Sequence, residues 1–105
     1  MSIVCAVAYA LRADLLRLKG EFEESEMLFR RVLEIRRRVL GPDHPGSLTT
    51  YAGLAVLLQS MGRLEEAEPL FRSDLEGSER VLGPEHPDTL TAVHNLAGVL
   101  EAQGR

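Results

Sequence analysis

The chain has a single cysteine, Cys5, among its 105 residues, so no internal disulfide can staple it and no oxidising compartment is required. No apolar stretch approaches the roughly 20 residues of a membrane span. The apolar opening from Ile3 to Leu11 lacks a basic segment before it and runs into Tyr9-Ala10-Leu11-Arg12-Ala13, an amphipathic helical pattern rather than a secretory leader. The cytoplasm is the expected compartment, with no membrane partner. No run alternates Val, Ile, Thr or Tyr with polar residues, so strands are not expected. Neither a glycine-rich phosphate loop nor any other nucleotide motif is present, so no cofactor is expected. Positive charge is also short: 12 Lys and Arg stand against 16 Asp and Glu, giving a net charge of −4. That balance argues against non-specific nucleic-acid binding.

What is present is a repeat. Leu40-Gly41-Pro42-Asp43-His44-Pro45 returns as Leu82-Gly83-Pro84-Glu85-His86-Pro87, and a shift of 42 residues lays 20–63 on 62–105 with 23 of 44 positions identical. Self-similarity at that period marks stacked units, which build extended surfaces. At this length one domain is expected, 1–105, with repeat 1 at about 3–45, repeat 2 at about 46–87 and a terminal half repeat at about 88–105.

Two helical patterns alternate within the period. The first covers approximately 3–18, 46–61 and 88–103. In its middle copy Leu48, Tyr51, Leu54, Ala55 and Leu58 form one apolar stripe; Leu90, Val93, Leu96, Ala97 and Leu100 repeat it in the last. The second pattern, approximately 22–40 and 64–82, buries Phe29, Val32 and Leu33, then Ala67, Leu70 and Phe71, and its predicted stripe runs on through Val39 and Val81. Glutamates crowd its first turn and arginines its last, the order that complements the helix dipole. Gly41 and Gly83 stop these helices, and Pro45 and Pro87 start the next ones. Five antiparallel helices in an all-α solenoid are predicted.

Small residues at the close-approach points of these helix pairs resemble tetratricopeptide repeats: Leu54-Ala55, Leu58, Gly62, Ala67 and Phe71 in the middle unit, Leu96-Ala97, Leu100 and Gly104 in the last. The 42-residue period, the Glu66-Ala67-Glu68-Pro69-Leu70-Phe71 segment and the Leu-Gly-Pro-Glu-His-Pro loop resemble the kinesin-light-chain subtype. The resemblance implies a right-handed superhelix whose first helices line a concave groove for a protein or peptide partner. In that subtype the first helix reads Leu-Asn-Asn-Leu-Ala, with asparagines that reach a peptide backbone. Only Val93-His94-Asn95-Leu96-Ala97 comes close here, so the resemblance carries over Asn95 alone.

Repeat geometry places Val7, Leu11, Asp14, Thr49, Gly53, Val56, Gln59, Thr91, Asn95, Gly98 and Glu101 toward the groove, with His94 beside Asn95. The set lacks clustered Lys or Arg, which disfavours capture of a C-terminal carboxylate, and Gly53 and Gly98 are expected to let a partner approach closely. Asp74 on the second helix departs from the family pattern; either an arginine pairs it or the helices open there. Gly77 is expected to weaken its helix.

Catalytic readings fail on geometry. Cys5 lacks a base nearby and is expected in the core. His44 and His86 sit in loops a repeat apart, too far for one metal ion, and are expected to bond within their own loops. The arginines at 30, 31, 36, 37 and 38 give way to Ser78-Glu79-Arg80 in the next unit, so no basic stripe runs along the solenoid and a solvated face is expected. No enzyme chemistry is expected.

At the ends, Ile3 and Val4 on the first helix and Val93, Val99 and Leu100 on the last lack a neighbouring repeat and are expected to expose apolar surface. Continuation into a longer array and pairing of two copies as a homodimer both explain such surface.

Overall fold

The computed structural model describes residues 3–104, which form five α-helices and no strand: α1 (Ile3–Leu18), α2 (Phe22–Leu40), α3 (Pro45–Ser60), α4 (Leu64–Leu82) and α5 (Pro87–Ala102). Each helix packs on its sequence neighbours, α1 on α2, α2 on α3, α3 on α4 and α4 on α5.

Local chemistry sets the boundaries. Glu23 and Glu24 open α2, Glu65 and Glu66 open α4, and Arg37, Arg38 and Arg80 close these helices at the negative end of the dipole. The break between hairpins is identical in both copies. Gly41 and Gly83 take φ of 95° and 92°, a region closed to residues with a Cβ, and end their helices. Three residues on, the imidazole Nδ1 of His44 accepts the N–H of Gly46 at 3.0 Å, and that of His86 accepts the N–H of Asp88 at 3.1 Å. The histidines therefore cap α3 and α5 within their own loops, with Pro45 and Pro87 at the first helical position.

Helix α3 is the centre of the core. Flanked by α2 on one side and α4 on the other, it buries Leu48, Tyr51, Leu54, Ala55, Leu57 and Leu58, against Phe29 and Leu33 from α2 and Ala67 and Phe71 from α4. The outer helices have one neighbour each and bury one face each. On α1 that face is Ala6, Ala13 and Leu16; on α5 it is Thr89, Ala92, Leu96 and Val99.

This corrects the stripe predicted for α5. Leu90 and Val93 are exposed and Ala97 with them, although their α3 counterparts Leu48, Tyr51 and Ala55 are buried. Those α3 positions face α4, and α5 has no helix on that side among the described residues. Val39 and Val81 are also exposed. Helices α2 and α4 have 19 residues against 16 in α1 and α3, so their last turn overhangs the helix they pack on. Cys5, expected in the core, is exposed; Ala6 takes the buried position beside it.

Candidate functional site

A cavity of about 250 Å³ lies between α3 and α5, with α4 beneath it. From α3 it takes Leu48, Thr49 and Ala52; from α5, Asp88, Thr91 and Asn95; from α4, Asp74 and Ser78. No Lys, Arg or His lines it. The hydroxyls of Thr49 and Thr91 donate to the carbonyls of Pro45 and Pro87 one turn back, which leaves their oxygen lone pairs free to accept.

Asp74 is the most confined carboxylate among the described residues, 9% exposed. Its carboxylate accepts one long bond, 3.4 Å, from Ser78 Oγ on its own helix. Burial pushes its pKa up to about 6; the Ser78 bond opposes this and the charge of Asp88 adds to it. Of the two outcomes expected at Asp74, pairing with an arginine is not found among the described residues.

Of the predicted groove residues the structure gathers Thr49, Thr91 and Asn95 around this cavity. His94, the next residue on α5, is exposed outside the lining. Val56 is half-buried and packs on the core, and Gln59 is half-buried further along α3. Leu11 and Asp14 are exposed on α1, which contributes nothing to the cavity. Gly53 requires a correction: the close approach there is made by the Phe29 ring of the chain itself, 2.9 Å from where a Cβ would stand. The floor, Asp74 and Ser78, was not among the expected groove residues, because those came from the first helix of each repeat alone.

The apolar ends divide differently from expectation. Val4 and Val93 are exposed, Ile3 is half-buried against Val32 and Ile35, and Leu100 is half-buried on the main core. Val99 is fully buried, which removes it from any exposed face; it sits on the side of α5 that meets α4. A longer seam was missed. Val4, Val7, Leu11, Leu15 and Leu18 run the length of α1 with exposures between 49 and 72%.

The remaining polar clusters are structural. Arg63 reaches from the start of α4 to Glu26 on α2 and to Glu66, both at 2.6 Å, and Arg30 joins the group. Arg80 grips Asp43 with two bonds of 2.8 and 2.9 Å. A wider hollow of about 460 Å³ on α2, near Arg37 and Arg38, lies open to solvent, with Arg38 paired to Glu34. Among the described residues no three His, Cys, Asp or Glu side chains are gathered to hold a metal ion, and no helix is long and apolar enough to cross a membrane.

Stacked helical hairpins with caps and close-approach residues repeating every 42 positions define a helical-repeat protein. The tetratricopeptide repeat profile matches residues 4–76 and 54–105, and the chain belongs to that family, whose members generally mediate protein–protein interaction. It is of the kinesin-light-chain-like type. The solved TPR-like repeats of a kinesin-light-chain candidate from Podosopora anserina superpose with a TM-score of 0.85 at 26% identity, covering 98% of this chain and 49% of that one. A point variant of the same repeats gives 0.86 at 26% identity, covering 99% and 50%. BtubC (BKLC) from P. vanneervenii gives 0.86 at 19% identity, covering 93% and 39%, a likeness of fold. The chain thus spans half or less of the length of each. No curated protein sequence matches it.

Proposed function

We propose that the chain is a non-catalytic scaffold that holds a peptide or helical segment of a protein partner in the groove between α3 and α5. The observation that carries this reading is the cavity itself, into which Thr49, Thr91 and Asn95 converge from two successive repeats. A pocket with a few placed polar groups over an apolar wall fixes a ligand's orientation. Neutral hydroxyl and amide groups suit the backbone of an extended segment, which presents alternating donors and acceptors.

The test is selection of binders from a random peptide library displayed on phage, followed by competition with Thr49→Arg and Thr91→Arg proteins. Both positions are exposed, so the fold tolerates them. Loss of the selected binders in both variants supports the groove. Binders that are indifferent to both place the site elsewhere and overturn the reading.

A second reading, self-association, is favoured by the α1 seam. On α3 the face bearing Gly46, Thr50 and Gly53 lies against α2. The same register on α1 reads Val4, Ala8 and Leu11, all exposed. A second copy packing there would cover that surface. Light scattering across a concentration series decides it. A dimer that Leu11→Glu and Leu15→Glu together dissolve supports the reading, and a monomer at all concentrations ends it.

A further inference from the structure

The chain contains its own control for the α3–α5 cavity, because the α2–α3 junction is built from the same register 42 residues earlier. At that first junction a cation is in place. Arg36 of α2 reaches across to α3, where its Nη1 donates to Thr50 Oγ1 at 2.9 Å and to the Gly46 carbonyl at 3.2 Å. One turn earlier on α2, Val32 is fully buried in an apolar cluster with Ile35 and with Ala6 of α1.

At the second junction each of these residues is replaced. Ser78 stands for Arg36, Asp74 for Val32, Asp88 for Gly46 and Ala92 for Thr50. The shortening from arginine to serine removes the guanidinium, and the other changes bring two carboxylates. This second junction holds the cavity described above, floored by a carboxylate nine-tenths buried, with a single weak bond from a neutral hydroxyl. Among the described residues no ion pair involves Asp74 or Asp88, and Asp43 nearby is already taken by Arg80. Confining a carboxylate without a counter-charge costs stability, and the same confinement strengthens attraction to any cation that enters.

We infer that the cavity between α3, α4 and α5 receives a cationic side chain, arginine or lysine, from the partner segment, which supplies at this junction the charge that Arg36 supplies at the preceding one. The inference rests on the groove reading and sharpens it from an unspecified segment to a basic one. A guanidinium offers a planar array of N–H donors to the carboxylates of Asp74 and Asp88 that line the cavity; an ammonium meets them as a point charge. The burial that raises the Asp74 pKa adds a pH dependence: protonation on the acid side of about 6 removes the negative charge that attracts the ligand.

The experiment is an NMR titration of the full chain with blocked peptides of sequence Ala-Ala-Xaa-Ala-Ala, where Xaa is arginine, lysine, or the neutral arginine isostere citrulline. The expected result is saturable movement of the Thr49, Thr91 and Asn95 amide signals by the arginine or lysine peptide. Citrulline should bind at least about tenfold more weakly, and the cationic peptides should weaken between pH 7 and pH 5. Asp74→Val, which installs the residue found at position 32, should remove most of that preference while keeping the fold. Asp88→Asn should halve the charge and reduce binding by a smaller factor. Equal binding of the arginine and citrulline peptides, or full binding of the cationic peptides to Asp74→Val, overturns the inference while leaving a groove that binds peptides. No movement with any peptide also overturns it, and the library selection then judges the groove on its own.

Discussion

Leu48 of α3 occupies the space that a side chain at Gly77 of α4 would need: a Cβ there would collide with Leu48 Cδ2. One repeat earlier the pair is reversed in size, with Ala6 on α1 and Ile35 on α2, both buried. Small meets large in each hairpin, but the large residue changes sides. Gly77 is therefore a packing requirement and more than a weak point in its helix.

This relationship yields the first prediction. Gly77→Ala gains about 1 kcal/mol of helix propensity and still lowers stability, because overpacking costs about 1–3 kcal/mol. Leu48→Ala alone lowers it by about 2–5 kcal/mol through the cavity it leaves. The double variant should be less destabilised than the sum, a coupling read from urea melts in a double-mutant cycle. Additive losses would mean the two residues do not compete for space.

Arg63 bridges Glu26 and Glu66, so it ties α2 to the start of α4 across the repeat boundary. Its hydrogen bonds hold the Glu26 and Glu66 carboxyls below the usual carboxylate range, against some opposition from burial. Groups shifted downward stabilise the fold above their unfolded pKa and lose that contribution as pH falls through the folded value. Arg63→Met should lower the melting temperature at pH 7 with less effect below pH 4, and the difference should shrink in 1 M salt. A loss independent of both would assign Arg63 to packing.

Ser47 and Thr89 share a register position and are both buried, yet only one hydroxyl is satisfied. Ser47 Oγ donates to the Gly41 carbonyl at 2.7 Å, whereas Thr89 Oγ1 has no partner. Ser47→Ala should destabilise by about 1 kcal/mol. Thr89→Val, which replaces the hydroxyl by a methyl of similar shape, should leave stability unchanged or raise it by up to about 1 kcal/mol. Thermal melts of the two variants decide this, and a large loss in Thr89→Val would reveal a partner for the hydroxyl.

The helices, their capping loops and the family were legible in the sequence because each depends on local signals that recur: Gly41 and Gly83 as stops, His44 and His86 before a proline, glutamates first and arginines last. Which residues are buried was legible only where both neighbours are present. The stripe Leu48, Tyr51, Leu54, Ala55 and Leu58 is buried as read; its copy on α5 leaves Leu90 and Val93 exposed, Val93 as expected of an end without a neighbour, whereas Val99, expected at that same exposed end, is buried. A repeat register reports equivalent positions and says nothing of missing neighbours. The cavity was half legible. Thr49, Thr91 and Asn95 followed from helix geometry, but its floor depends on Asp74 and Ser78, whose meaning emerges only when they are set against Val32 and Arg36 in three dimensions. Gly53 misled for the same reason, since the ring that fills its space comes from another helix.

Asp74 gives the last prediction its sign. Its pKa is raised to about 6 in the folded chain by burial, above the ordinary value of 3.8, so the folded state holds the proton more tightly than the unfolded one. Stability from this group is complete below pH 4 and is lost as pH rises through about 6. A rise of that size corresponds to about 3 kcal/mol, and screening in a cavity open to water reduces that to about 1–2 kcal/mol. Glu26, Glu66 and Asp43 have the opposite sign and lose their contribution as pH falls below their unfolded values of 4.5 and 3.8, so the native protein should show a stability maximum on the acid side of neutrality. Asp74→Val should remove the fall between pH 4 and 6 and be more stable than the native chain at pH 7, since it also restores the apolar contact that Val32 makes in the first repeat. Urea midpoints for both proteins from pH 3.5 to 7.5 measure this directly. Parallel profiles would mean that Asp74 is solvated well enough to titrate normally, and the carboxylate would then lack the confinement on which its attraction for a cation depends.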